Sequence, residues 1–156
     1  MRSALAENQF ELYYQPKIDL GSETIIAVEA LIRWPHPERG MVPPDRFIPL
    51  AEQTGDVRML TQWVIKRALR DGATLCRDGW DIQIAVNLSA LDLSNRNLPA
   101  QITNELSLAN LSSKLLVLEI TENSLMAEPS VAKSLKKTLN DTGVSLSIDD
   151  YGTGYS

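Results

Sequence analysis

Apolar segments of strand type alternate with segments of helical spacing from residue 24 onward, and this alternation constrains the fold more than any other feature of the sequence. The predicted strands are 24–34, 81–89, 114–122 and 144–150. The predicted helices are 46–54, 56–77, about 97–109 and about 129–140. The resulting order, β-α-α-β-α-β-α-β, is typical of parallel strands joined by helical crossovers, so it predicts an α/β fold.

A strand of a different kind precedes this alternation. Residues 10–20, FELYYQPKIDL, alternate in side-chain character, and the glycine and serine at 21–22 are typical of a hairpin-like turn. Residues 36–44 are predicted to form a loop because they contain prolines and a glycine. Asp45 is predicted to cap the short helix that follows, and Gly55 to end it.

Length and cysteine content bound the class of protein. The 156 residues are enough for one domain with its own core. The apolar runs are too short to span a bilayer, and the N-terminal segment lacks the apolar stretch of a secretion signal. A single cysteine, Cys76, excludes an internal disulfide and suits a reducing compartment. We therefore expect a cytoplasmic protein with no direct membrane insertion by this segment.

The charge balance argues against nucleic acid as a partner. The net charge is −5, from 20 acidic and 15 basic residues, and no basic stripe stands out. Because phosphate neutralisation needs clustered Lys and Arg, we expect no binding to DNA. A phosphorylated small molecule remains compatible with this charge if cations mediate the contact.

Oxygen-bearing side chains stand near the C-terminal ends of four predicted parallel strands. They are Glu29, Asn87, Glu119, Glu122, Asp149 and Asp150. Strand C-termini of parallel α/β folds converge on one rim, where sites are built. A lone acid of this kind is more often a helix cap or a solvated turn residue. Recurrence at successive strand ends favours a common site.

The donor types in this set indicate which cation would bind. Carboxylates with one amide oxygen, and no clustered His or Cys, form a hard ligand set that suits Mg²⁺ or Mn²⁺ rather than zinc. The only histidine, His36, falls in a proline-flanked loop. The adjacent Asp149 and Asp150 can serve two metal ions, as in-line displacement at phosphorus requires.

Two further features carry weaker signals. Gly152-Thr153-Gly154 is a turn or a mobile lid, since the longer phosphate-loop pattern is absent. Arg33, beyond Glu29, can clamp a phosphate, but an ordinary surface arginine is equally compatible with its spacing.

Four ordered motifs resemble the signatures of the bacterial EAL-domain family. They are EALIRW (29–34), NLS (87–89), LEITEN (118–123) and IDDYGTGYS (148–156), with YYQPKIDL and FIPLAE in support. The resemblance runs from about residue 7 to the last residue. It implies a cyclic di-GMP-specific phosphodiesterase of bacterial signalling, which hydrolyses cyclic di-GMP to linear pGpG with Mg²⁺ or Mn²⁺. It also implies a TIM-like barrel whose first strand is antiparallel, in agreement with the hairpin predicted at 10–34.

The resemblance assigns a role to each matching residue. It makes five residues metal ligands: Glu29, Asn87, Glu119, Asp149 and Asp150. Glu29 and Glu122 become catalytic residues, the latter as a glutamate that steadies the DDYGTGYS lid loop. Arg33 is expected to contact a substrate phosphate, and Gln15 to lie against the ligand.

This sequence departs from the family pattern mainly in extent. Tyr151 and Asn123 are small departures. A complete barrel needs about 250 residues and eight strands. We therefore expect residues 1–156 to form a partial EAL domain, truncated after the DDYGTGYS loop, with about the first five strands. The family's catalytic lysine, a further glutamate and a glutamine have no counterpart assigned here. Open edge strands then favour a homodimer or other self-association.

Other functions remain open at this level. A non-catalytic cyclic di-GMP receptor, or a protein-interaction module of the same fold, is the main alternative. A barrel glycosidase using Glu119 and an aspartate is a third, less favoured because the adjacent aspartates suit metals better. Sensory or diguanylate cyclase domains are frequent neighbours in the family.

Overall fold

The computed structural model describes residues 1–149, and for Asp149 the backbone alone. The helices are α1 Arg2–Ala6, α2 Pro44–Thr54, α3 Val57–Arg77, α4 Ala90–Leu93, α5 Leu98–Ala109, α6 Glu122–Ala127 and α7 Pro129–Thr142. The strands are β1 Glu11–Asp19, β2 Thr24–His36, β3 Gly40–Val42, β4 Gln83–Asn87, β5 Leu116–Thr121 and β6 Ser145–Asp149. The predicted α/β alternation is therefore confirmed.

One sheet organises the described residues, in the order β1-β2-β4-β5-β6. β1 and β2 pair antiparallel, as the hairpin at 10–34 predicted. The pairs β2–β4, β4–β5 and β5–β6 are all parallel, because helices connect them. Among residues 1–149 the sheet stays open, with β1 and β6 at its edges.

The core lies between the sheet and the helices. Successive residues of a strand point to opposite faces, and one face buries an apolar row. This row includes Val28, Ala30, Ile84, Val86, Leu116, Leu118 and Ile120. The long helix α3 packs on this side, where Tyr14 of β1 donates a hydrogen bond of 2.7 Å to Asp71. The opposite face is left for polar side chains.

The structure corrects two local predictions. Gly40–Val42 forms β3, which pairs with the end of β2, so the segment 36–44 is not wholly a loop. The left-handed backbone of Gly40, with φ of 68°, permits the tight return. Asp45 is not the cap of α2: Pro43 holds that position, and Asp45 lies in the first turn, where a carboxylate favours the helix dipole. The helices α1, α4 and α6 were not predicted.

Gly55 ends α2, as predicted, and Gly143 ends α7; both have the left-handed conformation. No helix within residues 1–149 is long and apolar enough to cross a bilayer.

Candidate functional site

Strand register brings the predicted polar residues onto one face of the sheet. Gln15 of β1 lies opposite Glu29 of β2. Glu29 pairs with Ala85 of β4, and two residues further along β4, Asn87 pairs with Glu119 of β5. Because side chains alternate, all four polar residues share the face opposite the apolar row. We call this the inner face.

Two contacts join the polar residues of the inner face. The side-chain amide of Asn87 donates a hydrogen bond of 2.8 Å, from Nδ2 to Oε1 of Glu29. The ammonium of Lys17 forms an ion pair with Oε1 of Glu119. Lys17 is on β1, and β2 and β4 lie between that strand and β5. Its side chain therefore crosses the inner face to reach Glu119.

Among the described side chains of this face, Glu119 is the most buried acid, with only 6% of its surface exposed. Its second oxygen, Oε2, is also buried and accepts no hydrogen bond from the described residues. A buried carboxylate costs free energy unless a cation or donor accompanies it. One oxygen of Glu119 has the ammonium of Lys17, and the other remains available to a ligand.

Arg33 lies on the inner face four residues beyond Glu29. Its guanidinium is 5.6 Å from the ring centre of Tyr13, and Nη1 donates a hydrogen bond of 2.8 Å to the carbonyl of Ile32. A cleft of about 410 Å³ lies at the C-terminal ends of the strands, where residues of α2 and α3 line it together with Arg33, Asn87 and Thr121. Arg33 and Asn87 thus border one cleft.

Glu122 lies beyond the strand rather than on it. β5 ends at Thr121, and Glu122 is the first residue of α6. Thr121 caps α6 by accepting a hydrogen bond of 3.2 Å from the backbone of Ser124. A carboxylate in this first turn is favoured by the helix dipole. The predicted extension of the strand to residue 122 is therefore wrong by one residue.

The remaining predicted ligands fall at the end of the described chain. The backbone of Asp149 pairs with Thr121 in the last step of the sheet. Asp150 and the rest of the DDYGTGYS segment lie outside the described residues.

Comparison with known families gives this arrangement a context. The EAL domain profile matches residues 1–156. The chain belongs to the EAL domain family.

Curated relatives of this EAL domain are much longer proteins. The chain is 43% identical to the cyclic di-GMP phosphodiesterase NbdA of Pseudomonas aeruginosa over 157 aligned positions, which are 20% of NbdA. It is 41% identical to the bifunctional diguanylate cyclase/cyclic di-GMP phosphodiesterase MucR of the same organism, covering 23% of MucR. The chain thus spans about a fifth of the length of these relatives.

Solved structures agree with the fold. The PaMucR phosphodiesterase in its c-di-GMP complex matches with a TM-score of 0.93 and 40% identity, over 99% of this chain and 63% of that one. The FimX EAL domain from Pseudomonas aeruginosa bound to c-di-GMP matches with a TM-score of 0.88 and 27% identity, over 97% of this chain and 61% of that one. The predicted TIM-like barrel, present here in part, is confirmed: five strands form the main sheet and β3 is added to β2.

The donors on the inner face of this EAL domain fit a hard divalent cation. Glu29, Asn87 and Glu119 offer oxygen atoms, and Oε2 of Glu119 is a buried acceptor without a donor among the described residues. Within residues 1–149, no three acidic, histidine or cysteine side chains already form a metal-binding group. The described part therefore supplies carboxylate and amide donors from three strands, and the backbone of Asp149 lies on the fourth strand in register.

Two residues of the site region were not among the sequence predictions. Lys17 alternates in phase with Gln15, which places it on the inner face, but its contact with Glu119 spans two intervening strands. Asp92 is fully buried just after the NLS motif. Its Oδ2 accepts hydrogen bonds of 2.8 Å from the hydroxyl of Thr61 and 2.9 Å from the backbone of Ser89. Burial raises the pKa of Asp92, although these hydrogen bonds oppose the shift.

Proposed function

We propose that this EAL domain belongs to a phosphodiesterase that hydrolyses cyclic di-GMP to linear pGpG with Mg²⁺ or Mn²⁺. The observation that carries the proposal is the register that lines up Glu29, Asn87 and Glu119 on three neighbouring strands. The names of the relatives NbdA and MucR support the substrate. The chain spans about a fifth of the length of those proteins, and we propose the same activity for the protein of which it is a part.

In this mechanism the metal ligands are Glu29, Asn87, Glu119, Asp149 and Asp150. Bound divalent cations lower the pKa of water and neutralise charge that develops at phosphorus. Hydrolysis forms one P–O bond from water and breaks one P–O ester bond. The released sugar oxygen takes up the proton that water gives up, so the product is linear pGpG with a terminal phosphate and a free hydroxyl. Glu29, Asn87 and Glu119 would hold the cations from three parallel strands, whose pairing keeps their backbones rigid.

Arg33 and Gln15 orient the substrate in the proposed mechanism. Arg33 borders the cleft next to Asn87, and its planar guanidinium suits a phosphate oxygen pair. Gln15 is exposed opposite Glu29 and can hydrogen bond to the ligand beside the metal site. Glu122, at the start of α6, is proposed to steady the lid loop that follows β6.

The proposal is tested by incubating the protein with cyclic di-GMP and Mn²⁺ or Mg²⁺ and separating the products by chromatography. We expect metal-dependent pGpG formation by the protein, its loss in EDTA and its loss in Glu29→Ala. Glu38→Ala is the matched control, because it removes an exposed carboxylate from the turn between β2 and β3. Turnover that survives Glu29→Ala, or wild-type protein that forms no pGpG with either metal, would contradict the proposal.

A second candidate is a receptor that binds cyclic di-GMP without hydrolysis. The ion pair between Lys17 and Glu119 favours it, because a protein cation already neutralises the buried carboxylate. The FimX EAL domain, whose structure holds bound c-di-GMP, is consistent with binding by this fold. Binding in EDTA without pGpG in any metal would support the receptor.

The setting of the domain is part of the proposal. We propose a cytoplasmic domain within a longer signalling protein, in which sensory or diguanylate cyclase domains flank the barrel, as the name of MucR suggests. Residues 1–156 then form the first part of the barrel. The open edges at β1 and β6 favour pairing with further strands or with a second copy. Sedimentation over a range of protein concentrations tests self-association.

A further inference from the structure

We propose that Lys17 and a divalent cation compete for the carboxylate of Glu119, so that Lys17 sets the metal affinity of the site. This inference rests on the proposed metal site and adds a residue to it. Lys17 would be a positioning residue, because it acts on Glu119 and not on the substrate.

The buried carboxylate of Glu119 is stabilised by a nearby positive charge, whether that charge belongs to a lysine or to a metal ion. With 6% of its surface exposed, Glu119 has lost most of its hydration, and Oε2 accepts no hydrogen bond from the described residues. Lys17 supplies one positive charge at Oε1. A divalent cation at the same carboxylate would supply two, so the two cations satisfy the same requirement.

The same geometry makes the two cations repel each other. A carboxylate holds its oxygens about 2.2 Å apart, so a metal at Oε2 would stand within a few ångströms of an ammonium at Oε1. The repulsion between charges so close is strong where water is scarce. Lys17 must therefore withdraw from Glu119, or weaken its contact, as the metal binds.

The side chain of Lys17 can move away from Glu119 more easily than Glu119 can move away from Lys17. About 36% of its side chain is exposed, against 7% for that of Glu119. It stands on β1, an edge strand of the described sheet, and its charge is carried on a flexible four-carbon stem. An ammonium released from Glu119 can reach water by rotation of that stem, whereas Glu119 cannot follow it.

Titration with Mn²⁺ of the EDTA-treated and dialysed protein tests the inference without any measurement of activity. We expect Lys17→Met to bind Mn²⁺ about fivefold to tenfold more tightly than the wild type, because the ammonium that competes with the metal at Glu119 is removed. Lys136→Met, which removes an exposed charge from α7, should change the Mn²⁺ affinity less than twofold. Calorimetry or electron paramagnetic resonance of free Mn²⁺ gives the dissociation constants.

Lys17→Arg gives a change of opposite sign. A guanidinium pairs with a carboxylate through two hydrogen bonds and is harder to displace, so we expect weaker Mn²⁺ binding than in the wild type. It also keeps the charge that Glu119 needs, which protects the test if Lys17→Met does not fold in EDTA. Equal or weaker Mn²⁺ binding by Lys17→Met, or equal or tighter binding by Lys17→Arg, would overturn the inference.

The outcomes also separate this inference from the proposed function. If the protein forms pGpG but neither substitution changes its Mn²⁺ affinity, the proposed role of Lys17 is contradicted and the proposed function is not. A protein that forms no pGpG, yet binds Mn²⁺ more tightly in Lys17→Met and more weakly in Lys17→Arg, contradicts the phosphodiesterase and supports the competition. If neither wild type nor Lys17→Met binds Mn²⁺, the inference is wrong.

Discussion

The side-chain amide of Asn87 donates a hydrogen bond of 2.8 Å to the carboxylate of Glu29, from a position 58 residues later in the chain. The parallel pairing of β2 with β4 makes this contact, since Glu29 and Ala85 are register partners and Asn87 follows on the same face. Two predicted metal ligands are thus held against each other by the sheet itself. The contact depends on an amide, because a second carboxylate there would repel Glu29.

Asn87→Asp turns that contact into a like-charge pair. We expect the variant to lose about 1 kcal/mol of unfolding free energy in EDTA, since residue 87 is exposed and Glu29 is only half-buried. Mn²⁺ should restore stability more in the variant than in the wild type, because a cation between two carboxylates removes the repulsion. Urea unfolding with EDTA and with Mn²⁺ measures both effects.

Asn104→Asp is the control for this substitution, since it adds the same charge at an exposed position of α5. A Mn²⁺ effect of the same size in both variants would show that the cation does not bind between residues 29 and 87.

Arg33→Ala separates substrate contact from metal binding. The guanidinium borders the cleft but offers no ligand atom to a cation, so we expect Mn²⁺ affinity to stay within twofold of the wild type. The Kd for cyclic di-GMP should rise about tenfold, the effect of losing one charged contact to a phosphate. Calorimetric titration with each ligand gives the two constants.

Arg39→Ala removes an exposed arginine just beyond β2 and should change neither constant. Unchanged nucleotide binding in Arg33→Ala would return Arg33 to the role of an ordinary strand-end arginine.

Asp92→Asn tests the buried acid behind the NLS motif. Burial raises the pKa of Asp92 above its usual value, so the folded protein holds the proton more tightly than the unfolded chain. The contribution of Asp92 to stability therefore falls as the pH rises through the folded pKa and is most favourable in acid. Asparagine keeps an acceptor oxygen for Thr61 and Ser89 but carries no charge.

We expect Asp92→Asn to gain about 1 kcal/mol relative to the wild type between pH 4 and pH 7, because the uncharged side chain escapes the desolvation cost at neutral pH. Urea unfolding at the two pH values gives the difference, and Asp81→Asn, at an exposed position, should show no such trend. A relative stability of Asp92→Asn that falls toward pH 7 would mean that hydrogen bonds to the charged form outweigh desolvation.

Gly143→Ala tests the connection that leads into β6. Gly143 has φ of 83°, and a Cβ there would stand 2.5 Å from Oγ of Ser113. Gly79 has a similar φ of 88° with nothing within 4 Å of such a Cβ. Alanine at either position costs about 1 kcal/mol for the left-handed backbone, and we expect about 1 kcal/mol more at Gly143 for the clash.

Urea unfolding of both variants measures that excess, and the double variant Gly143→Ala with Ser113→Ala should remove it. Equal losses at Gly79 and Gly143 would mean that the hydroxyl of Ser113 turns away at no cost.

The sequence was sufficient for the parts of the fold that local patterns determine. The alternation of strands and helices predicted β1, β2, β4, β5 and β6 in chain order, and the strand-end positions of Glu29, Asn87 and Glu119 predicted that these residues lie at one rim. The alternation did not predict β3, which is three residues long and pairs only because Gly40 allows a sharp return. The short helices α1, α4 and α6 contain too few residues to show a helical period.

The contact between Lys17 and Glu119 could not be predicted from any local sequence pattern. It joins residues 102 positions apart across two intervening strands. Whether a side chain can cross the inner face depends on how strongly the sheet curves, and no stretch of sequence records that curvature. The burial of Asp92 likewise depends on Thr61 of α3, which meets it only after the chain has folded.

The register of the inner face has a consequence for how such a site can be lost. Every strand presents alternate residues to that face, so a shift of β5 by one position would exchange Glu119 for Ile120 and move the acid into the apolar layer. A single-residue deletion between the start of β5 and Leu118 would do this while every ligand side chain stayed in the sequence. A descendant that has lost the arrangement of the inner face could therefore carry the complete motif, and only the spacing before it would reveal the change.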